Sequence, residues 1–307
     1  MTIGVLVMAY GTPASPQEVE SFYTDVRRGR PPPPDLLADL VRRYDAIGGI
    51  SPLAERTRAQ CLGLQGALDR AAGGRFRVFF GAKHSRPFIE EAVAAMSAAG
   101  LERGVGLVLA PHFSALSVGQ YIERARAAAE GTEVELSFVE SWHLAPGLIE
   151  LLAERLRSAL GCLPDRLARA AEVLVTAHSL PSRVLAMGDP YPDQLRATAE
   201  AVCERAGVQR WRLAWQSAGR TPEPWIGPDI LEVIRSLPAE GARSVVVCPA
   251  GFTSDHLEVL YDLDIEARRV AAEVGLVLIR TASLNNDRRF LATLAQVVMA
   301  AVGKAEP

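Results

Sequence analysis

Glu258, Asp262 and Glu266 lie at i, i+4 and i+8 in the stretch Pro249–Glu266. That spacing sets three carboxylates on one face of a helix. Like charges stacked this way repel, so the row costs helix stability unless cations neutralise it. A solvated acidic face is the plainer account, with Arg268 and Arg269 near enough to relieve part of the repulsion. Glu258 asks for more, because its helix follows the apolar run Ser244–Cys248. Open α/β sheets place their ligands beyond the C-terminal ends of strands. Ser254 or Asp255 offers the side-chain oxygen that would cap this helix. His178 ends a second apolar run, Val173–Ala177. An imidazole and a carboxylate at strand ends of one sheet suit a divalent first-row metal held weakly enough to leave again.

Other chemistries fit less well. No glycine-rich phosphate loop follows any apolar run, which argues against a nucleotide site. There is no GxSxG elbow, and Ser179 beside His178 is not a triad by itself. The remaining polar groups at predicted strand ends are Tyr10, His112, Ser114, Ser217, Asp255 and His256. His84 and His143 read as structural or as neighbours of the ligands. Positive charge gathers in one place, at Arg27, Arg28, Arg30, Arg42 and Arg43, around the rigid run Pro31–Pro34. Guanidinium forks suit carboxylates and phosphates, so this segment reads either as a lip that captures an anion or as a solvated basic patch.

These groups need strand ends to stand on. Apolar runs predict strands near 3–8, 76–80, 105–110, 134–139, 172–177, 211–216, 244–249 and 276–281, with helices such as Ile89–Ala99 and Gln194–Ala206 between them. The alternation implies an α/β protein with parallel sheets flanked by helices. Two sets of four strands suggest two similar domains, 1–160 and 161–307, the first carrying the lip as an insertion at about 12–55. A weak repeat supports this. Val5–Pro13 aligns with Val173–Pro181, which makes Tyr10 and His178 equivalent residues facing one another across a cleft. Lys304–Pro307 reads as a frayed tail.

With 307 residues, 49% apolar and 22% charged, the chain has the composition of a globular protein. A net charge of −3 offers no general attraction to nucleic acid or an anionic membrane. No apolar run approaches the roughly 20 residues of a transmembrane helix. The N-terminus reads as a first strand, not a signal peptide. Cys61, Cys162, Cys203 and Cys248 show no CxxC spacing and suit reduced thiols, so the expected compartment is the cytoplasm.

The chain resembles the ferrochelatases, specifically the monoderm-bacterial type acting on coproporphyrin III. The resemblance is carried by Met8–Pro13, Tyr23–Arg30, Arg43–Leu53, Gly81–His84, Leu109–Ser114, Ala177–Pro181, Gln216–Asp229 and Pro249–Asp264. It implies a chelatase-like fold of two Rossmann-like domains, with the porphyrin in the cleft between them. By motif, His178 and Glu258 fall on the pair where metal meets macrocycle, and Asp262 and Glu266 on the acidic row leading to it. Tyr10 falls on the residue approaching from the other face. Arg27, Arg43, Tyr44, Ser51 and Tyr121 match positions that hold the ring and its propionates. Lys83 and Trp225 match cleft-lining positions.

Fe²⁺ is then a substrate. Some relatives carry an iron–sulfur cluster; Cys162 could match its first ligand, but nothing after Cys248 could supply the rest, so none is expected. Phe113 stands where many relatives have tyrosine. The expected reaction is insertion of Fe²⁺ into coproporphyrin III in haem biosynthesis, by a monomer that passes its product to another haem-pathway enzyme. Protoporphyrin IX as substrate, a non-catalytic haem carrier and a cobalt chelatase are the alternatives.

Overall fold

The structure, a computed structural model, describes residues 2–305. Its eight strands are β1 (Ile3–Ala9), β2 (Phe76–Ala82), β3 (Arg103–Val108), β4 (Glu135–Val139), β5 (Glu172–His178), β6 (Trp211–Gln216), β7 (Ser244–Cys248) and β8 (Val277–Arg280). They form two four-stranded sheets, ordered β2-β1-β3-β4 and β6-β5-β7-β8, with every pairing parallel. The central strands are near-continuous apolar runs because helices cover both faces.

The common strand order has a direct consequence for ligand binding. In each sheet the chain leaves the central strand to one side and returns to the other. This creates a crevice beyond the C-terminal ends of β1 and β3, and another beyond β5 and β7. Tyr10 follows β1, and His178 ends β5, so the aligned pair occupies equivalent places. Gly251, after β7, must be glycine: a Cβ there would lie 2.5 Å from that of Ala177 on β5.

The lip consists of helices α1 (Val19–Val26) and α2 (Pro34–Ala46), leading into α3 (Leu53–Ala72). Pro34 opens α2, where a missing N–H costs nothing. Further on come α4 (Ile89–Ala98), α5 (Val118–Ala129), α6 (Pro146–Gly161), α7 (Asp165–Ala168), α8 (Arg183–Ala186), α9 (Tyr191–Ala206) and α10 (Ile230–Ser236). The chain closes with α11 (Leu257–Leu260), a π-helix over Asp262–Ala267, α12 (Arg268–Glu273) and α13 (Arg288–Ala305). Lys304 and Ala305, read as part of a frayed tail, thus lie within α13, while Glu306 and Pro307 are outside the described residues.

The last helix of each half crosses over. α6 packs on α9 and β7 of the second sheet, and α13 packs on α3 and β4 of the first. Trp142 and Phe290 meet in this exchange, both buried, and one core runs through both halves. Polar bolts add to the seam. The buried Gln60 of α3 donates to Ser254 Oγ at 2.8 Å, His112 bonds Thr198 of α9 at 2.9 Å, and Asp189 accepts from Ser114 at 2.9 Å.

Candidate active site

The two crevices open into one cleft of about 520 Å³. Tyr10, Lys83 and Tyr121 line it from the first half, His178, Trp225 and Glu258 from the second, and Arg43, Tyr44 and Ser51 from the lip and its junction with α3.

His178 and Glu258 are together: Nε2 lies 3.4 Å from Oε1, and each side chain is about a third exposed, at 33% and 34%. The sequence singled out no partner on the other side of Glu258, yet His256 places its Nε2 3.4 Å from Oε2. Both imidazoles give their Nδ1–H to backbone carbonyls, of Ser179 and Ser254. A neutral imidazole so anchored turns an Nε2 lone pair toward the carboxylate. The arrangement therefore calls for a cation between them, a proton or a metal. Burial alone would lower the His178 pKa, but the Glu258 charge beside it outweighs burial and raises it to about 9. Burial would raise the Glu258 pKa; the His178 charge, with His256 behind it, instead holds it well below the carboxylate range.

Glu258 does not start a continuous α-helix. His256 stands at the N-cap of α11 without a side-chain cap, so neither Ser254 nor Asp255 plays that part. Asp255 instead accepts from Ser283 and Asn285. At Tyr261 the helix widens. Its carbonyl accepts from Ile265 at 3.2 Å and from Glu266 at 2.9 Å, and the π-helix follows.

Asp262 is buried. Its side chain is 8% exposed, accepts from Ser217 at 2.5 Å and lies 3.4 Å from Arg43 Nη1. Burial first, then the Glu258 charge, push its carboxyl up to about 7. Ser217 holds its hydroxyl there from a left-handed backbone, φ 60°, which is strained for a non-glycine residue. Glu266 is half-buried. The expected relief by Arg268 and Arg269 does not occur: they pair with Asp264 and Glu273, and the cation beside the row is Arg43 of the lip.

On the facing wall Tyr10 is 43% exposed to the cleft, its ring packed against His84 at 4.7 Å. Enclosure in the cleft, then the Glu258 charge, push its phenol above the usual tyrosine value. His84 is held by Asp25 at 2.6 Å. Tyr44 and Tyr121 are buried, with burial pushing Tyr44 up to about 12. Ser51 is buried too, its hydroxyl accepting from the Leu53 amide. Lys83 sits 5.2 Å from the Tyr121 ring centre, and burial, followed by Arg124 and Arg28, lowers its pKa to about 8.

The lip arginines divide. Arg42 donates to Tyr261 and Asp39, and Arg43 to Asp39 and Asp262, so both already have partners. Arg28 and Arg30 are exposed. Arg27 stacks on Tyr23, which lines the cleft, but Arg27 itself does not; its Nε is buried without a partner.

Among the described residues, no three His, Cys, Asp or Glu side chains converge closely enough to hold an ion by themselves. Cys203 and Cys248 are buried, Cys61 is half-buried, and Cys162 is exposed.

The ferrochelatase family profile matches residues 2–302. The coproporphyrin III ferrochelatase of Anoxybacillus flavithermus is 46% identical over 300 residues, covering 97% of this chain and 95% of the relative. That of Bacillus subtilis is 42% identical over 305 residues, 98% of each chain. A protein of Thermus thermophilus named simply ferrochelatase is 46% identical over 317 residues, 97% of this chain and 99% of its own. Among solved structures, SirB from Bacillus subtilis with Fe³⁺ shares the fold, with a TM-score of 0.62 at 14% identity over 100% of this chain and 98% of that one.

Proposed function

The chain belongs to the ferrochelatase family, and from that premise we propose that it inserts Fe²⁺ into coproporphyrin III on the way to haem, with His178 and Glu258 as the centre of the chemistry. The observation that carries this is the His178–Glu258 pair, at 3.4 Å, on one wall of a cleft whose other wall presents Tyr10.

The reaction releases two pyrrole protons as Fe²⁺ sheds its waters. A flat macrocycle hides its nitrogens from both events, so the cleft must hold the ring bent, between Tyr10 and the His178–Glu258 pair. The pair binds one cation. A proton held there leaves when Fe²⁺ arrives, and as the metal moves into the ring the emptied Nε2 and carboxylate take the two pyrrole protons in turn and release them toward solvent. Two protein ligands leave the coordination incomplete, which lets the metal go. Asp262 and Glu266 continue the path toward solvent, with Asp262 poised to pass protons near neutral pH. Arg43, Tyr44, Ser51 and Tyr121 hold the ring and its carboxylates, and Arg27 meets a propionate at the edge.

Coproporphyrin III has four propionates where protoporphyrin IX has two. The relatives named for coproporphyrin III support the former, as do the cations left at the lip, Arg27, Arg28 and Arg30. Among the described residues no helix is long and apolar enough to cross a membrane, and we place the protein in the cytoplasm. It works there as a monomer without an iron–sulfur cluster and hands its product to a later enzyme of the pathway.

The test is anaerobic incubation of purified protein with Fe²⁺ and coproporphyrin III, followed by absorbance. Catalytic loss of the free-base bands is expected. Binding without metallation indicates a carrier, and equal turnover of detergent-dispersed protoporphyrin IX removes the substrate assignment.

A further inference from the structure

We infer that Arg280, outside the cleft, is a positioning residue for metal delivery: it pins the wide turn that keeps Glu258, Asp262 and Glu266 in one line. The inference rests on the reading of that row as the metal's route.

An α-helix has 3.6 residues per turn, so four residues overshoot a full turn by about 40°, and two such steps spiral by about 80°. A π-helix closes i→i+5 bonds with about 4.4 residues per turn, so four residues fall short by about 33°. The step from Glu258 to Asp262 is largely α-helical, and the step from Asp262 to Glu266 runs through the π-helix. The two drifts nearly cancel, and the carboxylates stay aligned.

A wide turn is rarely stable unaided, so something must hold this one. Asp264 lies in its middle and faces β8, where both of its oxygens accept from Arg280: Nε to Oδ1 at 2.9 Å and Nη2 to Oδ2 at 2.8 Å. The Arg280 side chain is only 12% exposed, and it is itself fixed by the Thr281 carbonyl at 2.9 Å, the Ser283 hydroxyl at 3.2 Å and Asp255 at 3.3 Å. This two-pronged contact ties the π-helix to the end of a sheet strand. Arg268, 3.7 Å from Asp264 and 58% exposed, is too loose to replace it. Without the fork the segment can relax toward an α-helix and swing Glu266 out of line.

The sign of the effect separates positioning from electrostatics. If Arg280 acted only through its charge, removing it would strengthen the row's attraction for a cation. Positioning predicts the reverse. In Arg280→Met and in Asp264→Asn, KM for Fe²⁺ should rise on the order of tenfold, with KM for coproporphyrin III within about twofold of wild type. The double variant should be no worse than either single one, and Arg280→Lys, which keeps the charge without the fork, should fall between.

Zn²⁺ binding measured by calorimetry without porphyrin should weaken in parallel, and it decides the matter even if coproporphyrin turnover failed for the wild type. Circular dichroism identifies any variant that does not fold, in which case Arg280→Lys, which keeps the charge, carries the test. An unchanged or lower KM for Fe²⁺ in folded Arg280→Met, or a parallel rise in both KM values, overturns the inference.

Discussion

His112 should make the seam behind the cleft sensitive to acid. The side chain, in the loop after β3, is 2% exposed; Nε2 bonds the Thr198 hydroxyl at 2.9 Å, and Nδ1 is buried without a partner. Protonation would place a charge where nothing accepts the second N–H. Burial, with a smaller push from His143, accordingly lowers the pKa from 6.5 to about 3. A histidine depressed in the folded state is protonated more readily when unfolded, so its contribution is intact above pH 6.5 and is lost as pH falls from 6.5 toward 3. One proton of difference corresponds to about 1.4 kcal/mol per pH unit. By pH 4.5, two units below 6.5, this single site should cost about 2.7 kcal/mol. His112→Gln keeps a polar reach to Thr198 and removes the titration. Urea unfolding of both proteins at pH 7, 6, 5 and 4.5 isolates the term, because all other groups cancel in the difference. The variant should start out less stable, from imperfect packing, and the gap should close by about 1.4 kcal/mol per unit below pH 6. Parallel stability profiles would show that His112 does not titrate as its burial demands.

Three further outcomes are expected. His178→Ala should abolish metallation while coproporphyrin III still binds, read by absorbance and by quenching of protein fluorescence; wild-type turnover by a folded variant refutes the assignment. Glu258→Gln should cut turnover sharply, with smaller losses for Asp262→Asn and Glu266→Gln, and equal, negligible effects at all three would return the row to a solvated face. Because Glu258 sits between two imidazoles, its replacement should also lower stability, not relieve repulsion. Substrate choice should favour coproporphyrin III, each lost Arg–carboxylate contact costing about 1–3 kcal/mol; Arg27→Ala should narrow the preference in kcat/KM, and no change there removes Arg27 from substrate binding.

All eight strands were legible within about two residues, because central parallel strands are buried on both faces and read as unbroken apolar runs. The alignment of Tyr10 with His178 was legible for the same reason, since equivalent strands end at equivalent crevices. The wide turn was not. Spacing by four fits an α-helix and a π-helix alike, and the choice lies in contacts such as Arg280–Asp264, which sit far apart in the chain. The crossing of α6 and α13 escaped too, since an apolar stripe records that a helix is covered and not which sheet covers it. Nor could the lip arginines be sorted in advance. Arg42 and Arg43 are spoken for by Asp39, Tyr261 and Asp262, and only the fold brings the last two within reach.

The two halves share a strand order but divide the charges. The wall around Tyr10 and Tyr121 has phenols that loss of solvent in the cleft pushes above the usual tyrosine value, with Lys83 as its cation. The wall around His178 has Glu258 and His256, with Asp262 and Glu266 continuing behind Glu258 along the helix. A dication is attracted to the second wall and not to the first. On the proposed function, a macrocycle between the walls would meet an aromatic surface with one cation, Lys83, on one face and a carboxylate-bearing, proton-accepting one on the other. On the proposed reaction, a departing pyrrole proton would meet neutral phenols beside Tyr10 and an imidazole paired with a carboxylate beside His178. The same asymmetry is why the proposed reacting centre sits in only one of two like crevices: the carboxylates Glu258, Asp262 and Glu266 belong to the second.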